Sequence, residues 1–393
     1  MNVRDCLRQY CTRLTAPLCG AAALDSARIA HPASSIRGRS SSDRDSQPGT
    51  EIAQAIFGAR RWNRYWTLGS LAVIFLCAAG AMAVGRFTIS PRELAAVLVP
   101  GAFPEVEVSG QVRTVITNIR LPRVILALLA GGGLAASGAA FQGLFANPLA
   151  TPDTLGAGNG ASFGAVLGIL LGLPAFGIQV LAMVLGVAAV LMAWSVGRVK
   201  GTMPPLMIIL AGMMVSSLFS ALVSLIKYAA DPQDVLPSIT YWLMGSMAST
   251  TKSTLVMGAP FIAGGSMLLF LLRWKLNSMS LPEDEAKSLG IPVKRIRSLV
   301  IVGSAMVTAA VVSMCGQIGW VGLLIPHMVR MIFGNDNSSV MPASMAFGAV
   351  FMLIIDTLAR SVTASEIPVS ILTALIGAPC FILLLRKTGG IRL

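Results

Sequence analysis

Residues 281–292 read Leu281-Pro282-Glu283-Asp284-Glu285-Ala286-Lys287-Ser288-Leu289-Gly290-Ile291-Pro292, a short charged segment set between long apolar runs. Both ends carry helix signals. Pro282 suits a first helical position, where a missing amide hydrogen costs nothing. Glu283, Asp284 and Glu285 put negative charge on the positive end of the helix dipole. Gly290 can take the left-handed exit conformation, and Pro292 blocks continuation. A helix of roughly eight residues, 282–289, is about 12 Å long and cannot cross a bilayer. Inside a membrane protein it is either a solvated connector or a rigid handle offered to a soluble partner.

The rest of the chain supplies the membrane. Its 393 residues are 55% hydrophobic and 12% charged, with mean hydropathy +0.75, whereas soluble domains carry roughly 25% charged residues. The composition predicts an all-α polytopic membrane protein. The 39 glycines suit helices that approach one another closely. A net charge of +13 would point a soluble protein toward nucleic acid; here it follows from topology. The six cysteines show neither zinc-finger nor redox-pair spacing and read as free thiols. His31 and His327 lie too far apart in sequence to indicate a metal site. No P-loop string and no nucleophile–base constellation occurs, so no catalytic residue, metal ligand or cofactor is assigned. The chain reads as a transport subunit rather than an enzyme.

Ten apolar spans are expected, at about 66–85, 118–145, 156–173, 177–197, 205–229, 255–273, 297–315, 319–333, 342–361 and 368–386. The second is too long and must tilt or protrude. The eighth is short and contains Pro326, which predicts a broken or partial crossing. Residues 1–59, rich in Arg, Ser and Ala, read as a disordered cytosolic tail, and 60–393 as the transmembrane domain. Arg60, Arg61 and Arg64 precede the first span, and Arg386, Lys387 and Arg392 follow the last. An even number of crossings therefore puts both termini, and the 282–289 handle, in the cytosol.

Several motifs fit transport. Ile119-Arg120-Leu121-Pro122-Arg123 opens the second span on the outer side, and Arg360 ends the ninth near Glu366. Snorkelling would explain these arginines as interfacial anchors; alternatively they form a positive patch able to receive partner carboxylates. Asn147-Pro148-Leu149-Ala150-Thr151-Pro152 must form a stiff, irregular loop at the cytosolic mouth. Asp356 is within a helical turn of Arg360, a plausible pair. His327, after Pro326, reads as a partner for freed backbone groups. Phe141-Gln142-Gly143-Leu144 and Trp320-Val321-Gly322-Leu323 form a weak echo five crossings apart, of the kind inverted repeats leave.

Four blocks in order, 119–164, 281–297, 316–336 and 356–387, resemble the FecCD-type permeases of binding-protein-dependent ABC importers, whose cargoes include ferric siderophores, haem, vitamin B12 and some oxyanions. The likeness runs from about residue 65 to 390. It implies a vitamin-B12-importer-like permease fold with ten helices per subunit, paired as a homodimer or pseudo-dimer in the bacterial inner membrane. ATP and magnesium would sit on a separate pair of ATPase subunits, and a substrate-binding protein would dock outside. By resemblance, Pro282, Glu283, Asp284, Glu285, Ala286, Leu289 and Gly290 belong to the coupling element. Arg120, Arg123 and Arg360 match positions that receive the binding protein, and Asn147, Pro148 and Leu149 match a cytosolic gate. The expected cargo is a ferric siderophore or similar metal chelate, with haem or cobalamin as alternatives. A proton-coupled secondary transporter would need a fuller buried relay than Asp356 provides, and a membrane sensor would need neither gate nor outer patch.

Overall fold

The computed structural model describes residues 48–99, 101, 103, 105–198, 204–363 and 365–387. Contacts divide the chain into Met1–Ile56 and Phe57–Leu393. Helices α1 (Pro48–Ala83), α2 (Pro91–Leu98) and α3 (Gly110–Thr114) lead through a π-turn, Val115–Arg120, into α4 (Leu121–Leu144). A 3₁₀ turn, Pro152–Leu155, precedes α5 (Ala157–Leu170). There follow α6 (Ala175–Val196), α7 (Pro205–Ala229), α8 (Val235–Leu243) and α9 (Lys252–Asn277). The chain ends with α10 (Glu283–Ser288), α11 (Val293–Cys315), α12 (Val321–Phe333), α13 (Asn337–Ser361) and α14 (Val369–Lys387).

Each of the ten expected spans is met by a helix. Seven described helices are long and apolar enough to cross a membrane, and α5, α12 and α14 are shorter apolar ones. Helix α1 begins at Pro48, so residues 48–59 are helical where an irregular tail was expected; residues 1–47 lie outside the described residues.

Helix α4 is the axis of the unit, buried without a break from Ala130 to Leu144. Its Ala- and Gly-rich sequence has no bulk to keep neighbours away, and α9, α11, α12 and α13 all pack on it. At two crossings the backbones nearly touch. A side chain at Gly131 would overlap the Gly348 carbonyl of α13, and one at Gly138 would overlap the Gly322 carbonyl of α12. Close approach of this kind replaces the hydrophobic effect as the adhesive between helices in lipid.

The second span is over-long, as expected. Gly110–Leu144 is a continuous 35-residue run, about 52 Å at 1.5 Å per residue against about 30 Å of hydrocarbon. Pro122 lies inside this run rather than at its start. A proline ring collides with the carbonyl four residues back, and the widened π-turn just upstream relieves that collision. Helix α12 is short, as expected. It starts after Trp320, whose φ of 73° breaks the chain direction, and it carries Pro326 internally.

Candidate functional site

The handle is helix α10, one residue shorter at each end than expected. Pro282 has ψ 142°, an extended conformation, and so occupies the capping position rather than the first turn. The exit is as read: Gly290 has φ 72°, its amide donates to the Lys287 carbonyl, and Ile291 donates to Ala286. Ala286 is buried and pins the helix to its support. Glu283 holds it from the side, pairing with Lys287 at 3.0 Å and with Arg297 of α11 at 3.4 Å. The hydrogen bond from Lys287 holds the Glu283 carboxyl below its usual range despite partial desolvation, with Arg297 adding to it. The same bond, made from the other side, raises the Lys287 ammonium. Asp284, Glu285 and Leu289 face outward, Leu289 with 68% of its surface exposed. The result is a braced acidic knob with an apolar tip.

The Asn147–Leu149 loop lies at this same end. Ala146 takes φ 46°, the Asn147 amide returns to the Gln142 carbonyl at 3.2 Å, and the Asn147 side chain accepts from Leu149 at 2.9 Å. Asn147 and Leu149 are exposed and Pro148 half-buried. Sequence reasoning missed the network that ties this loop to the handle. Arg330 of α12 donates to Ala139, Gln142 and Asn337. Asn277 accepts from the Asn337 amide at 2.8 Å and donates to Asp336 at 2.6 Å. Asn277 directly precedes the Ser278–Ser280 turn that leads into α10. The Arg in the last turn of a short apolar helix was the available signal. His327 does not bind freed backbone as expected: its Nε2 is unpartnered, and its ring packs on Phe381. The two echoing segments touch, Gln142 donating to the Leu323 carbonyl at 3.2 Å.

At the opposite end the arginines depart from an open patch. Arg120, Arg123 and Arg360 are 4%, 5% and 8% exposed. Arg120 donates to the carbonyls of Met82, Ala83 and Phe87. Arg123 bonds Asp356 at 2.7 Å and forks onto both oxygens of Glu366 at 2.9 Å. Arg360 reaches the Ala81 carbonyl and sits 3.5 Å from Asp356. The reason is desolvation: arginines at packed helix ends bind the nearest acceptors, and here those acceptors belong to α1 and the loop after it, α13 and the α13–α14 loop. The trio staples three elements together instead of facing outward. Cations exposed at this end include Arg86, Arg92, Arg113 and Lys252. A second feature absent from the sequence reading is the junction of α8, α11 and α14, where Ser246 donates to Cys315 at 2.8 Å and Val369 donates to Gly245 at 2.9 Å.

A sequence profile of the FecCD transport family matches residues 70–387. The chain belongs to the FecCD transport family. It is 41% identical to the molybdate import system permease MolB of Haemophilus influenzae over 320 residues, which are 81% of this chain and 94% of that protein. It is 38% identical to a Helicobacter pylori permease assigned to an iron chelatin transport system, over 70% of this chain and 84% of that one. A solved transporter assigned to the metal-chelate ABC type, in an inward-facing conformation, superposes with a TM-score of 0.75 at 39% identity, over 82% of this chain and 99% of that one. FecCD permeases work with an ATPase and a binding protein. The chain is therefore a multi-span permease subunit of an ATP-driven importer.

Proposed function

We propose that two copies of this chain form the pathway for a ferric siderophore or similar metal chelate, with the α10 knob seated in an ATPase subunit. Haem and cobalamin, themselves metal chelates, fall within the same reading. The observation that carries it is the braced knob at one end of a FecCD bundle, joined by the Arg330–Asn337–Asn277 network to the Asn147–Leu149 loop. Load on the knob passes through rigid, bonded elements to a loop at the mouth of the bundle.

In this scheme the knob, the loop and both termini are cytosolic, the membrane is the bacterial inner membrane, and ATP and magnesium act only on the partner. ATP-driven closure of the ATPases moves α10, and the Asn147–Leu149 gate opens as the outer end shuts. Each ligand shifts this equilibrium only by its differential affinity for the two states. Docking of the binding protein falls to the exposed Arg86, Arg92, Arg113 and Lys252, while the buried arginines hold the surface in shape. The faces left open on α7 (Met213, Met214) and α14 (Leu375, Leu383) suit the dimer axis.

A second reading is an oxyanion importer, favoured by the 94% coverage of MolB. Proteoliposomes carrying the permease, its ATPase and its binding protein decide between them. The proposal expects ATP-dependent uptake of a ferric siderophore, haem or cobalamin and none of molybdate. Molybdate uptake alone would select the second reading, and uptake of any solute at full rate without ATP would overturn both.

A further inference from the structure

Helix α1 touches the bundle lightly. Trp66 anchors it, edge-on to Phe333 at 4.7 Å and stacked on Phe347 at 6.2 Å. Beside it, at the knob end, a groove of about 760 Å³ runs between α1, α4, α9 and α13. Its floor is Gly132 and Gly133 of α4, and Ile74, Leu128, Met267 and Phe270 give it apolar walls. That volume lies within the range of small-molecule sites.

Thr67, Ser70, Ser266, Arg273, Ser338 and Ser339 break the apolar lining. Arg273 stands at the rim, its guanidinium 3.8 Å over the Phe270 ring and 3.5 Å over Trp274. It donates to the Phe270 carbonyl at 2.8 Å, and no ion pair joins it to a carboxylate among the described residues. Deeper in, Ser266 is 6% exposed, lines the groove, and its hydroxyl has no hydrogen-bond partner. That hydroxyl is shut off from the open space and packs toward Gly133 of α4. Ser266, Phe270 and Arg273 lie on one face of α9. Ser266 is about 6 Å along the axis from Phe270, whose carbonyl holds the guanidinium.

We propose that this groove binds one anionic phospholipid. The phosphate meets Arg273, and one acyl chain fills the slot between α1 and α9. A phosphate with no cation of its own uses the full charge of Arg273, whereas a zwitterionic headgroup brings a competing ammonium. The bound chain becomes part of the packing that seats α1 against the bundle, next to the elements carrying the knob.

The test is native mass spectrometry of the purified full chain, titrated with phosphatidylglycerol and with phosphatidylcholine of identical acyl chains. The expected result is one phosphatidylglycerol retained per subunit, favoured about fivefold over phosphatidylcholine. Arg273→Gln abolishes the preference, and sn-glycerol 3-phosphate does not compete. Ala263→Phe, at an exposed position on the groove wall, fills the slot, leaves Arg273 intact and loses the bound lipid. Equal retention of the two lipids overturns the proposal, since it marks ordinary surrounding lipid. Effective competition by glycerol phosphate overturns it in favour of a free-phosphate site. If Arg273→Gln does not fold, undiminished phosphatidylglycerol binding by Ala263→Phe overturns it.

Discussion

Replacing Arg123 by methionine keeps most of the apolar stem and removes the charge. The side chains of Arg123 and Asp356 are 6% and 2% exposed, and their contact is 2.7 Å. After the change, Asp356 retains only Arg360, at 3.5 Å and off its better geometry. Removing one partner of a buried pair costs about 3–5 kcal/mol, most of it the stranded charge. Glu366, with a side chain 24% exposed, recovers water and adds little. The residual Arg360 contact places the expected loss at the lower end, about 3 kcal/mol. Asp356→Asn in the same chain removes the stranded charge and should restore about 2 kcal/mol. The assay is denaturant unfolding in mixed micelles near neutral pH, applied to both single variants and the double variant. A loss below about 1 kcal/mol for Arg123→Met, or no coupling in the cycle, would refute an internal staple. An arginine facing a partner would instead leave stability alone and weaken docking.

Three further outcomes are expected. Gly138→Ala drives a methyl into the Gly322 carbonyl and should cost about 1–3 kcal/mol or more in the same unfolding assay, whereas Gly80→Ala, with open space around it, should be harmless. Leu289→Asp, at an exposed tip, should leave the unfolding midpoint unchanged while weakening ATPase association about tenfold, measured by titration of the labelled ATPase. Glu283 titrates below its ordinary value of 4.5, so its contribution is present above that value and lost as pH falls through the lowered one. The midpoint difference between wild type and Glu283→Gln should therefore hold steady from about pH 7 to about pH 5 and close only below 4.5.

The spans were legible because a bilayer demands long apolar runs, and Pro and Gly mark where they stop. Pro326 and the shortness of 319–333 announced the partial helix α12. Helices α2 and α8 were not legible: at 8 and 9 residues they are shorter than an apolar window resolves, and α2 rests on a Ser90–Glu93 capping box. The handle was readable from charge and punctuation alone, within one residue at each end, because Pro282 accepts both the cap and the first-turn conformation. The burial of the arginines was not legible because a cation at a helix end reads the same whether it turns to water or to a neighbouring carbonyl. Asp356 was matched to Arg360 by spacing; its shorter bond is to Arg123, 233 residues away in sequence. No local pattern reports a pairing across that distance.

The central claim, that Glu283–Ser288 transmits the work of an ATPase, is tested most directly by amide hydrogen exchange over residues 282–290, with the permease alone and with its ATPase bound. The account predicts marked slowing at these amides on complex formation, and again on adding ATP, with Asn147–Leu149 changing in step. Exchange that stays the same at 282–290 while the two proteins are demonstrably associated would contradict it.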